Sequence, residues 1–151
     1  MGAAGSVTSE INKPYIYISY DISDKYNLYI EILRDELINK KCNVMYSELT
    51  IDFQKKFSYN EISKKIKNII YNTNHFIVCI SKETTRSFHQ AIEIDNALNE
   101  YKEFLYLMLD EFYTPLNNSC VKGMVGHNKW FPFYRNKHVF DTVEYILNIN
   151  L

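Results

Sequence analysis

The chain has 151 residues, the length of a single domain able to bury a core without disulfides. With 46% hydrophobic and 23% charged residues it is globular, and a formal net charge of −1 excludes nucleic-acid binding driven by bulk charge. Tyr and Phe, at 13 and 9 copies, are expected to carry much of the packing.

Cys42, Cys79 and Cys120 are odd in number and far apart, without a CxxC pair. They read as reduced thiols, and neither a disulfide framework nor a zinc site is expected. No apolar run approaches the ~20 residues of a membrane span, and residues 1–13 lack the apolar middle of a signal peptide. The opening "MGAAGS" fits the pattern for myristoylation of Gly2. A small-residue leader accounts for it equally well. A single acyl chain without a basic cluster gives at most weak membrane association. The expectation is a cytoplasmic protein, peripheral to the membrane if acylated, with a flexible leader over 1–13 and one domain over 14–151.

In chain order, "YIYIS" (15–19) reads as a buried strand. Ser23 or Asp24 offers a cap for a helix over roughly 24–40, with Tyr26, Ile30, Leu33 and Leu37 inward. "CNVMYS" (42–47) is a second strand, and "ELTIDFQKKF" after it reads as a loop. Ile62, Ile66, Ile69 and Ile70 mark one face of a helix, with Lys64, Lys65 and Lys67 on its solvated side. "HFIVCIS" (75–81) is apolar enough for a central strand covered on both faces.

A helix over about 88–101 is expected to turn Ala91, Ile94, Leu98 and Tyr101 inward. Glu93 then lies about 110° from the centre of that stripe, at the boundary between core and solvent. "EFLYLMLD" (103–110) is a fourth strand, and 111–129 is mostly loop. "KWFPFY" (129–134) is an edge strand at best because of Pro132. A last helix carries Phe140, Val143, Ile146 and Leu147.

Alternating strands and helices imply an α/β fold with a parallel sheet and right-handed crossovers. Ligands of such sheets collect at the C-terminal strand ends, here around Ser19–Asp24, Ser47–Lys56, Ser81–His89 and Asp110–Pro115. With glycines only at 2, 5, 123 and 126, neither G-x-G-x-x-G nor a P-loop can be written.

Three segments in order resemble the Toll/interleukin receptor (TIR) domain family: "YIYISYD" with Asp24, "NHFIVCISKETTRSFHQAIEIDNA", and "LYLMLDEFYTP" followed by "KGMVGHNKWFPFY". The last pair is similar to the variant of eukaryotic multidomain TIR proteins. The resemblance spans about residues 14–149. It implies a flavodoxin-like, five-stranded parallel sheet flanked by helices, and one of two roles.

The first is signalling of the innate-immunity or stress type by association with other TIR domains, as self or hetero pairs. Its contact surfaces are the segment with Glu48, Asp52, Phe53, Lys55, Lys56 and Phe57 and the helix beginning near Phe88. The second is hydrolysis of NAD at the nicotinamide–ribose bond, with Glu93 as the carboxylate, to ADP-ribose or a cyclic form, NAD being substrate and no cofactor or metal being required. Ser19, Tyr20, Ser47, Glu48, Ser81, Ser87 and His89 are the candidate NAD contacts. A weaker third reading is nucleotide binding without turnover. His89 stands where family hydrolases commonly carry an aromatic residue, and Ser47, with Glu48 beside it, stands where they commonly carry an acid. A helix glutamate paired with His89 or with water is the ordinary alternative for Glu93.

Overall fold

The computed structural model describes residues 14–109, 129–131 and 136–149. Gly2, Cys120 and, of the loop expected over 111–129, residues 111–128 lie outside the described residues, while Lys129 opens a strand. In chain order the elements are β1 (Tyr15–Ser19), α1 (Leu28–Asn39), β2 (Asn43–Tyr46), α2 (Glu48–Gln54), α3 (Tyr59–Tyr71), β3 (His75–Ile80), α4 (Phe88–Asn99), β4 (Glu103–Met108), β5 (Lys129–Phe131) and α5 (Asn136–Ile149). The strands run in parallel in the order β2-β1-β3-β4-β5, the flavodoxin-like arrangement, with the switch in strand order between β1 and β3.

The body of the sheet is four strands and not the five full ones expected. The fifth reduces to three residues beside Leu105–Leu107.

Period-two alternation sends the strand side chains into two cores. Ile16, Ile18, Tyr20, Ile77, Cys79, Leu105 and Leu107 pack under α1 and α5. Tyr17, Phe76, Val78, Ile80, Phe104 and Tyr106 pack under α3 and α4. All six residues of β3 are buried, as its continuous apolar run requires. Tyr17 and Phe76 stack with ring centroids 5.6 Å apart.

Three local readings are corrected. The segment after β1 forms a short 3₁₀ turn, Ile22–Asp24, and the helix proper begins later under an Asn27 cap, Oδ1 accepting from the Tyr29 N–H at 2.9 Å. Tyr26 is therefore exposed, outside the helix it was expected to anchor. "ELTIDFQKKF" is not a loop, because its first seven residues are α2. The buried stripe of α4 is also rotated. Ala91, Leu98 and Tyr101 face solvent, whereas His89, Gln90, Ile92, Glu93, Ile94, Asn96 and Ala97 are buried. In α5, Val143 and Ile146 are buried as expected, but Phe140 is exposed.

Helices α1 and α4 end alike. The Cys42 N–H donates to the Leu37 carbonyl and Lys41 to Ile38, while Lys102 donates to Ala97 and Tyr101 to Leu98. These are Schellman closures, and they place Lys41 (φ 66°) and Tyr101 (φ 54°) in the left-handed region where glycine is at ease. Tyr101 is 95% exposed, so its side chain returns almost no packing for that backbone. Tyr101→Gly is expected to stabilise the fold by about 1 kcal/mol, read as a higher midpoint in urea with an unchanged slope.

Candidate functional site

Glu93 is fully buried, at 0% exposure. An ionised carboxylate in such a place loses several kcal/mol of hydration unless protein donors replace the water. Here four hydroxyls do. Ser19 Oγ donates to Oε1 at 2.8 Å and Ser47 Oγ to the same oxygen at 2.9 Å. Thr50 Oγ1 donates to Oε2 at 2.8 Å, and Tyr17 Oη donates to Oε2 through a short bond. The Tyr17 and Thr50 hydroxyls are 3.1 Å apart. A carboxylate offers about four lone-pair sites, and all are taken.

The local sequence explains the convergence. Tyr17 and Ser19, two apart on β1, share the sheet face that looks at α4. Ser47 ends the β2 segment and stands at the N-cap position of α2, with Thr50 one helical turn on. Ser47 makes no side-chain cap bond to its own helix, the usual task of a serine there. Its hydroxyl instead donates to Glu93 and accepts from the Tyr20 N–H at 2.9 Å.

The expected site residues divide accordingly. Ser19 and Ser47 touch Glu93. His89 does not, because its Nε2 lies 2.7 Å from the Tyr20 carbonyl, which can only accept, and its Nδ1 lies 3.3 Å from Ser87 Oγ. Tyr20 turns its hydroxyl to Glu48 in a short bond on the other side of β1. Ser81 pairs with Asp24 and accepts from the Glu83 N–H at 3.2 Å.

In the expected contact segment, Asp52, Lys55 and Lys56 are exposed. Phe53 and Phe57 are half-buried against the α3/α4 core, with Lys65 Nζ 4.4 Å from the Phe57 ring centroid. Tyr17 and Thr50 escaped the sequence reading. Tyr17 carried one usable signal, the period-two offset from Ser19. Thr50 carried none once α2 was taken for a loop.

Burial raises the Glu93 carboxyl above its ordinary range, and the bonds from Tyr17, Thr50 and Ser19 pull it part of the way back. Tyr17 is pushed well up, by burial first and then by the Glu93 charge. Neither of two surface grooves reaches Glu93. One, of about 380 Å³, lies between α1 and α5 at Glu36 and Phe140, and the other, of about 540 Å³, lies at Met45 and Ile69. Among the described residues no cluster of His, Cys, Asp or Glu is set to hold a metal, and no helix is long and apolar enough to cross a membrane.

The parallel, flavodoxin-like α/β sheet flanked by helices is the fold of a TIR-type domain. The family model of the Thoeris protein ThsB TIR-like domain matches residues 17–112, well over half of the chain, and the chain belongs to that TIR-like family. No curated protein matches it.

The raised Glu93 has a sign that can be tested. Its folded pKa lies above its unfolded one, so between the two the folded state holds the extra proton. The stability it confers is complete below about pH 4.5, the ordinary carboxyl value, and is lost as pH rises through the folded value. Glu93→Gln removes this titration. The stability of the wild type minus that of the variant is expected to fall as pH rises from 4.5 toward neutrality, measured by chemical denaturation at each pH. A flat difference counts against a raised carboxyl.

Proposed function

We propose that this TIR-like domain hydrolyses the nicotinamide–ribose bond of NAD with Glu93 as the catalytic carboxylate. The observation that carries the reading is the fully buried Glu93 with four convergent hydroxyl donors at the ligand-binding end of the sheet. Helix carboxylates are ordinarily solvated, and an expensive, fully coordinated one beside the strand switch is the mark of a working group. From the sequence alone the interaction role ranked first. The burial of Glu93 supports putting the hydrolase first.

The chemistry asks little else of the protein. As the C1′–N bond breaks, its electron pair leaves with nicotinamide, which departs neutral, and positive charge grows on C1′ and the ring oxygen. A fixed carboxylate beside the ribose stabilises that charge. Water then adds to C1′ and releases a proton, leaving ADP-ribose. A ring closure within the same molecule gives a cyclic product instead.

In the conformation described here Glu93 is closed to solvent, so a substrate reaches it only if the segment from Ser47 through α2 moves aside. Association with a second TIR domain is a natural trigger for such a change. Concentrated or artificially oligomerised wild-type protein is expected to release nicotinamide from NAD, and Glu93→Gln to lower kcat by at least about 100-fold. Assembled wild-type protein that leaves NAD intact, or a variant that keeps its rate, refutes the hydrolase.

One further observation favours a role in self-association. Phe88 and Tyr59, at the starts of α4 and α3, are 59% and 55% exposed with ring centroids 6.0 Å apart. Two large rings side by side in water are typical of a contact patch. Phe88→Ser combined with Tyr59→Ser is expected to shift sedimentation to the monomer without lowering Tm. Assembly unchanged by both substitutions removes this patch from the interface.

A further inference from the structure

The four hydroxyls on Glu93 sort by the element that supplies them. Tyr17 and Ser19 come from β1, which is hydrogen-bonded to a strand on each side and is buried from Ile16 to Ser19. Ser47 and Thr50 come from the start of α2. Each carboxylate oxygen receives one donor of either kind: Ser19 and Ser47 on Oε1, Tyr17 and Thr50 on Oε2. The α2 pair therefore offers two hydroxyls to the two oxygens of one carboxylate, which is how a carboxylate receives a vicinal diol.

The two halves differ in how firmly they are held. Helix α2 has seven residues, too few to persist unaided, and Thr50 is its single buried residue. Ser47 forgoes the cap of its own helix for the bond to Glu93. Phe53 against the core and Glu48 on the Tyr20 hydroxyl also hold the segment, but its two hydroxyls are committed to the carboxylate that a substrate would need.

We propose that Ser47 and Thr50 form an internal competitor for Glu93, their hydroxyls holding the places of the two hydroxyls of a ribose. A ribonucleotide gains the carboxylate by displacing them, while Tyr17 and Ser19 stay in place and keep it oriented. This rests on the reading of Glu93 as the ribose-facing group. It adds that the ligand must bring a cis-diol, and that the closed state sets the apparent affinity.

The sign of four single substitutions tests it, with ADP-ribose as the probe and calorimetry as the measurement, so that no turnover is needed. Thr50→Val and Ser47→Ala weaken the closed state and are expected to tighten binding about tenfold, the population shift from losing one hydrogen bond to a charged group. Ser19→Ala and Tyr17→Phe are expected to weaken it. For an ADP-ribose analogue lacking one hydroxyl of the terminal ribose, the gain in the first pair should shrink.

A merely structural tie predicts that all four substitutions act in the same direction, and that result overturns the proposal, as does unchanged binding in Thr50→Val and Ser47→Ala. Should those variants fail to fold, hydrogen exchange on the wild type decides. Amides of α2 exchange faster under saturating ADP-ribose if the helix is displaced, and unchanged or slower exchange refutes displacement. The two readings fail separately. Tighter binding without nicotinamide release sinks only the hydrolase, and Glu93-dependent release without the split in sign sinks only the competitor.

Discussion

Everything near the functional end of this sheet answers to one constraint, a carboxylate taken out of water. Glu93 is tolerable there only because hydroxyls from β1, from the end of the β2 segment and from α2 reach its two oxygens. Each donor fixes something larger than itself. Tyr17 and Ser19 require β1 to turn that face toward α4. Ser47 and Thr50 require the chain to fold back into a short helix straight after β2 and not to run on as a loop. The rotation of α4 follows as well, since Glu93 must point at the sheet.

That rotation has consequences along the whole helix. With Glu93 inward, His89, Gln90 and Asn96 are carried inward too, and each is bonded to a backbone carbonyl: Tyr20 at 2.7 Å, Cys79 at 3.2 Å and Ile92 at 2.9 Å. A polar face thus becomes the buried face, and Leu98 is left outside. The bonds of His89 and Gln90 come from this packing and that of Asn96 from its own helix, and they offset part of the cost of burial, while Gln90 Oε1 is buried without a partner. His89 also bonds the carbonyl of Tyr20, the residue whose N–H reaches Ser47, so it touches the Glu93 network only through the backbone.

The segment that covers Glu93 is also the one the TIR resemblance singles out for contacts between domains. Its outer side carries the exposed Asp52, Lys55 and Lys56, and its inner side carries Thr50. A partner bound to the outside of so short a helix would alter its hold on what lies beneath. Under the proposed reading, association and chemistry would meet at a single element, so the two roles implied by the resemblance do not exclude each other.

Hydrophobic periodicity alone was enough to read the α/β class, the four main strands and the inward faces of α1 and α3, because their cores are apolar and each residue's burial follows from its own side chain. The inward face of α4 was not legible, because His89, Gln90 and Glu93 are buried against partners on other elements, which the helix's own sequence does not show. Helix α2 was hidden because the serine that would announce its start turns its hydroxyl to Glu93. Sequence determined the main strands and helices, and the TIR resemblance pointed to Glu93. Only the tertiary structure decided that Glu93 is sealed and fully bonded, since the burial of a charge depends on which hydroxyls the fold brings to it.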